Sequence, residues 1–514
     1  MIWRIFRKDW KLLWPVALGV AAMNLALRLV LARIGLFPSF RIGSLVNLLV
    51  VGGLFGVIIL ITLAVQQDPV PGVRQDWLVR PIRRRDLLMS KLLFMLVAAQ
   101  GPVFLAEVLQ GLANGFPLTE SIAAPLVRNF WLLLMMDIPI LAFATLSSNL
   151  MEAVFGGLIL FLGGAVLVGA FRVVGIPQPT MDTGIQWITY SLMALIALAA
   201  ASLVLAMQYG GRKTMAARFA FTGAGFAWLF SLLLPWTPAF AAEQRLSRAP
   251  RSGSTVALSL DRTARGFQRP PGTDLLESIG KRAVAVSTVY IPLRVQNLPA
   301  DSMLLMDRYH ARFGAGASSV EATGSNVHMS GDATQAVRFT AMRVPAAWLA
   351  SHGSEPVHVE IEYSLTLASA ASRYSIPAAS GDLRSPDLGW CQSRIDAEDT
   401  EVQVHCMRPG KQPDAISFTL ENTSTGIRNP EVINYTPNYS PSLLAFIPDS
   451  MRRAGANLPF RDPSGIARYP VDGSQLNSAR VAIRTYAAHD HFTRHLAADR
   501  IRLNDWRGVE GSGM

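Results

Sequence analysis

The pattern of apolar and polar positions divides the chain in two. Up to about residue 238, apolar runs alternate with short polar joins, at 12–32, 45–65, 87–109, 130–146, 154–174 and 187–207, with a seventh at 219–238. A helix needs about 20 apolar residues to cross the hydrocarbon core. Backbone in lipid must satisfy its own hydrogen bonds, which excludes loose strands there. The first half therefore predicts an all-α polytopic membrane bundle with a six-span core at 12–207. A cytoplasmic loop and a seventh transmembrane helix are expected at 208–240.

The second half changes period. "VHVEIEYSLTL" places Val357, Val359, Ile361, Tyr363, Leu365 and Leu367 on one face. Similar alternation runs through "AVAVSTVYIPLRVQ", "AVRFTAMRV", "EVQVHC", "ISFTLEN", "RVAIRTYA" and "RIRL". Short strands separated by turn residues predict an all-β, Ig-like or related sandwich over 283–514, as two stacked modules or one elaborated sandwich. The Gly-, Pro-, Ser- and Arg-rich stretch 241–282 reads as an irregular stalk with one early strand, "STVALSL".

Charge orients this plan. Only 16% of the residues are charged and mean hydropathy is +0.30, against about 25% charged in an ordinary soluble protein. The net charge of +11 is carried largely by loops beside the apolar runs, where Lys and Arg mark the cytoplasmic side. Arg4, Arg7, Lys8 and Lys11, the loop after the second run, and Arg212, Lys213 and Arg218 all fall on one side if there are seven spans. The N-terminus is then cytoplasmic, the C-terminal domain extracytoplasmic, and the chain a multi-pass protein of the inner (plasma) membrane. No basic patch is interleaved with aromatics, so nucleic acid is not an expected partner. Cys391 and Cys406 both lie in the exported half. They are compatible with one disulfide there, since Cys406 shares an inward strand face with Val402 and Val404 and Cys391 precedes it by a plausible hairpin; two free thiols are the alternative.

Two ends of the membrane half carry a second reading. Residues 1–11 hold Ile2, Trp3, Ile5, Phe6 and Trp10 among cations, which suits a cytoplasmic interfacial helix or a cap on the first span. The seventh run has the basic start, apolar middle and small-residue end (Ala239-Phe240-Ala241) of a signal peptide. It is read as an uncleaved anchor because the cleavage pattern is loose.

The loop "GVRQDWLVRPIRRRDLLMSK" has more form than a topogenic signal needs. Pro69, Pro71 and Gly72 end the preceding helix. A short helix can run from Val73 to Val79, placing Val73 and Trp77 together. Arg80 precedes Pro81 and is pushed out of helical geometry, while Pro81 suits the first turn of the next helix. That helix carries Arg83, Arg84, Arg85 and Asp86 into the third span.

This order resembles the ABC-2-type permeases, the membrane subunits of a class of ATP-driven exporters. Asp68, Gly72, Trp77, Leu78, Pro81, Ile82, Arg83, Arg84 and Lys91 follow the family's order of acidic residue, glycine turn, short helix, proline, arginine stem and lysine. The resemblance covers roughly 1–207; the seventh span and the β-domain lie outside the family plan. It implies that the loop, with Asp68, Gly72, Arg74, Asp76, Trp77, Leu78, Arg80, Pro81, Arg83, Arg84 and Arg85, couples to a separate ABC ATPase. It also implies a second permease subunit, as a homo- or heterodimer.

Within the spans, ionisable groups are expensive and usually face protein or water. Asp137 sits near the middle of the fourth run and is the leading candidate for a translocation path or helix contact. Arg28 and Asn24 lie in the first run, and Glu107 near the outer end of the third. Arg28 could pair with Asp137, but Arg28 and Glu107 are both expected to snorkel to the outer interface. In the fifth run Gly156 and Gly163, and Gly157 and Gly164, recur at seven-residue spacing. They predict a groove for close helix packing, in the bundle or at a permease dimer interface.

Catalytic and metal chemistry is thin. His489, His491 and His495 in "HDHFTRH" read as a strand edge or loop rather than a metal site. There is no H-E-x-x-H, no local Ser–His–Asp signature and no G-x-x-x-x-G-K-[ST] loop. The chain is thus expected to bind no cofactor and to be no enzyme, with ATP and Mg on the partner ATPase. The leading expectation is the permease subunit of an ATP-driven exporter, embedded in the lipid bilayer, with a β-domain that could engage an extracytoplasmic partner. The alternatives are a membrane-anchored extracytoplasmic binding or assembly protein without transport activity, and an anchored enzyme; one helix would suffice as an anchor for either.

Overall fold

The computed structural model describes residues 1–34, 36, 40–68, 83–174, 186–247, 252–264, 268–269, 275–279, 282–330, 338–396, 401–422, 432–435, 451–459, 478–507 and 509–510. The first half is helical: α1 Ile2–Ile34, α2 Phe40–Gln66, α3 Arg84–Phe94, α4 Gly101–Ala113, α5 Leu118–Leu132, α6 Ile138–Ala144, α7 Leu150–Val174, α8 Gln186–Leu205, α9 Thr214–Phe230 and α10 Trp236–Arg245. A π turn, Met95–Gln100, joins α3 to α4, and another, Leu133–Asp137, joins α5 to α6. A third, Ala206–Gly211, ends α8.

Among the described residues, five helical stretches are long and apolar enough to cross a membrane: Ile2–Arg33, Leu45–Gln66, Arg84–Ala113, Leu118–Ala144 and Trp187–Gly211. The seven expected runs are matched in part: α7 offers a shorter apolar stretch, Leu150–Gly164, and α9 has only 17 residues. Residues 1–11 are continuous with the first apolar run in α1. There Ile5 and Phe6 are buried while Trp3 and Trp10 stay exposed.

Close helix packing falls on a different glycine set from the one expected. A Cβ at Gly52 or Gly56 of α2 would lie 2.8 or 2.9 Å from Met23 or Val20 of α1, so these glycines admit the neighbouring helix. On α7 a Cβ at Gly156 would meet Phe143 at 3.1 Å and one at Gly157 at 3.7 Å, but Gly163 and Gly164 face nothing within 4 Å. Among the described residues, the α7 glycines are packed against at Gly156 and Gly157 and face nothing at Gly163 and Gly164.

The second half is a set of mostly antiparallel sheets. Its strands are β1 Ala257–Leu260, β2 Gln268–Arg269, β3 Leu275–Ile279, β4 Arg282–Gln296, β5 Ser302–Ala315, β6 Ser318–Ser330, β7 Arg338–Pro345, β8 Val357–Pro377, β9 Asp382–Ser385, β10 Gly389–Ile395, β11 Glu401–Pro409, β12 Ala415–Asn422, β13 Val432–Tyr435, β14 Met451–Pro459, β15 Ala479–Ile501 and β16 Val509–Glu510, with a short helix α11 Ala346–His352. A six-stranded sheet in the order β13-β12-β15-β8-β5-β6 is the spine. Its long strands β8 and β15 serve two cores. Near one end, Tyr309, Phe313, Val359, Ile361 and Leu365 pack against Val289 and Ile291 of β4 and Met342 and Val344 of β7. Near the other, Ile376, Phe418, Val481 and Ile483 pack against Val402, Val404 and Cys406 of β11 and Leu458 of β14. Cys391 and Cys406 face each other across the β10–β11 hairpin and are disulfide-bonded inside this second core.

Several local readings change. Residues 241–282, expected as an irregular stalk with one early strand, hold that strand as β1, and in addition the end of α10, β2 and β3; β1 and β3 pair with β4. "RIRL" is not a separate strand: β15 ends at Ile501 and a 3-10 turn, Leu503–Trp506, follows. The alternation of β8 holds up to Tyr363 and then stops, because Ser364 and Thr366 are buried as well. Trp236 of α10 covers that opposite face and donates from Nε1 to Ser364 Oγ at 3.2 Å.

The β-domain packs on one end of the bundle. Leu36, after α1, and Phe116, between α4 and α5, are buried with Met407 and Met451. Arg384 donates to the carbonyls of Asn114 and Gly115 at 2.8 and 3.3 Å. The N-terminus of α1 and the roots of the basic loop lie at the far ends of these same helices.

Candidate functional site: the root of the basic loop

Of the loop residues singled out by sequence, Gly72, Arg74, Asp76, Trp77, Leu78, Arg80 and Pro81 lie outside the described residues. Asp68, Arg83, Arg84 and Arg85 are within them. Asp68 leaves α2, and Lys91 sits two turns into α3. The two are joined: Lys91 Nζ lies 2.9 Å from Asp68 Oδ2. The loop is therefore closed at its base by an ion pair.

That pair is half of a quartet. Lys91 Nζ also lies 2.8 Å from Asp9 Oδ2 of α1, and Lys8 Nζ lies 2.8 and 2.7 Å from the two carboxylate oxygens of Asp68. Asp9 is fully buried, and the Lys91 side chain is only 1% exposed. Taking such charges out of water is costly unless each finds its partner, and here two cations meet two carboxylates. Burial alone would push the Asp68 carboxyl up, but Lys91 and Lys8 hold it below the usual carboxylate range. The sequence singled out Lys8 only as an orienting cation, and Asp9 not at all. Asp9 is the one acidic residue in "WRIFRKDWK", a signal visible once Lys91 needs a partner.

The three arginines divide by role. Arg83 sits ahead of α3 in extended geometry, and Arg83 and Arg85 are exposed. Arg84 is half-buried and donates from Nη1 to the Gly210 carbonyl at 3.0 Å. Gly210 belongs to the terminal π turn of α8, whose end carbonyls favour a cation. Arg84 thus ties the stem to α8, and Arg83 and Arg85 are the charges presented outward. Through this root the loop touches α1, α3 and α8 together.

The in-span candidates do not converge. Asp137 is buried and accepts a hydrogen bond from Gln100 Nε2; both residues lie in π turns, which recur at functional sites. Arg28 does not pair with Asp137. It pairs with Glu107, which also pairs with Arg128, while Arg28 Nη1 lies 3.3 Å from Gln110 Oε1. The expected snorkelling of Arg28 and Glu107 is thereby corrected: Glu107 is buried between two guanidinium groups. Asn24 donates back to the Val20 carbonyl of its own helix at 2.9 Å.

A second polar cluster holds α10 to the β-domain. Trp187 Nε1 donates to Glu243 Oε1 at 3.4 Å, and Glu243 lies 3.9 Å from His491 Nε2. His491 Nδ1 is 2.8 Å from Thr366 Oγ1, which donates to Asp307 Oδ2 at 2.5 Å. Burial, reinforced by Asp307 and opposed by the Trp187 hydrogen bond, raises the Glu243 carboxyl to about 7. Burial, with His489 adding to it and Asp490 and Asp414 opposing, lowers His491 to about 4. The three histidines take separate partners: His495 faces Glu362 at 3.9 Å, and His489 is the extra residue of a bulge between Ala488 and Asp490. Among the described residues no group of three or more His, Cys, Asp or Glu side chains is arranged to hold a metal ion.

Neither the models of known protein families nor the curated proteins give a match to this chain.

Proposed function

We propose that this chain is the membrane-spanning permease subunit of an ATP-driven exporter, with six core spans and a seventh that carries the β-domain. The carrying observation is the root of the basic loop. Asp68–Lys91, Asp9–Lys91 and Arg84–Gly210 fasten one cytoplasmic element to α1, α3 and α8. A loop whose only task was to orient the chain would need none of these ties. A force applied to Arg83, Arg85 and the segment 69–82 would reach three helices at once. The sequence holds no P-loop, and on this reading the ATPase, with its ATP and Mg, is the partner that docks on the loop. The N-terminus and the loop face the cytoplasm of a plasma-membrane protein, and the β-domain stands outside. The open face of Gly163 and Gly164 on α7 suits a second permease subunit.

The test is co-purification of the tagged full chain from its native membranes. An ATPase should accompany the wild type and be lost from Arg83→Glu/Arg85→Glu, while the C-terminal domain keeps its protease accessibility from outside. Absence of any ATPase, or retention of it by the reversed variant, would remove the exporter reading.

A further inference from the structure

A cavity of about 340 Å³ lies where α5 meets the β-domain. Its walls carry Arg128 and Trp131 from the helix side and Lys411 and Arg452 from the β-domain, over a floor that includes Ala124 and Val127. Gly410, with φ +81°, lies against the helix: a Cβ built there would be in ordinary contact with Ala124 Cβ at 3.8 Å. Among the described residues the lining holds three cations and no carboxylate.

The apolar side is equally specific. Val127 is both part of the wall and 56% exposed, beside Leu126 and Phe130 on the same helix. These residues belong to the apolar stretch Leu118–Ala144, so the cavity is continuous with the surface that would face lipid. Of the cations, Arg128 is anchored by Glu107, and its buried Nε finds no acceptor among the described residues. Lys411 pairs with Asp414 at 3.1 Å but is 69% exposed, a surface pair that exchanges easily for a stronger anion.

We infer that this cavity is a binding site for an anionic phospholipid of the leaflet next to the β-domain. The phosphate would sit among Arg128, Lys411 and Arg452, in charge-assisted hydrogen bonds, and an acyl chain would lie along Val127 and Phe130. A zwitterionic lipid would bring its own cation into a cationic cavity and bind less well. The inference requires only that the helices cross a bilayer, and it stands apart from the transport reading.

Native mass spectrometry of the full chain, equilibrated with equal amounts of phosphatidylglycerol and phosphatidylcholine in detergent, tests it. The wild type should retain phosphatidylglycerol preferentially. Each cation near a lipid surface is worth about five-fold in anion preference. Lys411→Gln should therefore reduce the preference about five-fold and Lys411→Gln/Arg452→Gln more, whereas Arg312→Gln, on β5 away from the cavity, should not change it. Glycerol phosphate should fail to displace the lipid. The single Lys411→Gln change, at an exposed side chain, keeps the test valid if the double variant does not fold. Equal retention of both lipids, an unchanged preference in Lys411→Gln, or displacement by glycerol phosphate would each overturn the assignment.

Discussion

Lys91 Nζ and Asp9 Oδ2 are 2.8 Å apart with both side chains buried, although 82 positions separate them in the chain. This contact brings the stem of the basic loop against the first helix and gives the loop a fixed base. Breaking a buried ion pair costs about 3–5 kcal/mol, and the residue left behind keeps only its other neighbour: Asp68 at 2.9 Å for Lys91, Lys8 at 3.7 Å for Asp9. Lys91→Met should therefore lower the thermal stability of the detergent-purified protein strongly, and Asp9→Leu likewise. The double variant should be far more stable than the sum of the two losses predicts. Additive losses in that double-mutant cycle would mean that the pair does not interact.

Glu243 and His491 set opposite pH trends at the α10 joint. Glu243 titrates near 7 in the folded protein against 4.5 ordinarily, so folding takes up a proton there and its contribution falls as pH rises from 4.5 to 7. His491 titrates near 4 against 6.5, so its contribution rises over pH 4 to 6.5. The wild type should show the two nearly cancelling between pH 4.5 and 6.5. Glu243→Gln should leave the histidine trend alone, giving a melting temperature that rises with pH across that window. His491→Gln should give the reverse slope up to pH 7. Parallel profiles for all three proteins would contradict this picture of the joint.

The Cys391–Cys406 bond closes a short loop within the second β core. Such a crosslink stabilises by about 3 kcal/mol in the chain-entropy model. Intact mass before and after reduction should differ by two hydrogens, and Cys391→Ala/Cys406→Ala should melt several degrees lower. Free thiols in protein isolated from its membrane would contradict the bond, and would count against the proposal that the domain is exported.

Hydrophobic period made most of the architecture legible. Apolar runs separated by short joins marked the helical half, and the alternation of Val357, Val359, Ile361 and Tyr363 marked the inward face of β8. What stayed hidden depended on contacts distant in sequence. β5 carries the run Met303–Met306, buried on both faces, so no alternation announces it. The sharing of β8 and β15 by two cores follows from strand lengths of 21 and 23 residues, which no local pattern specifies. At the basic loop the sequence supplied Asp68, Lys91 and the arginines, but the burial that makes Asp9 their partner, and the separation of Arg84 from Arg83 and Arg85, arise only when α1, α3 and α8 meet. The same is true of Arg28, whose partner is set by the depth of Glu107 and not by the depth of Asp137.

The central claim, that the basic loop is the docking element for an ATPase, is tested most directly by crosslinking from within it. A photoreactive amino acid placed at Trp77 of the full chain should, on illumination of native membranes, attach to a polypeptide that carries a P-loop. The adduct should be lost in Arg83→Glu/Arg85→Glu. Adducts to lipid alone, or to proteins without an ATP-binding loop, would contradict it.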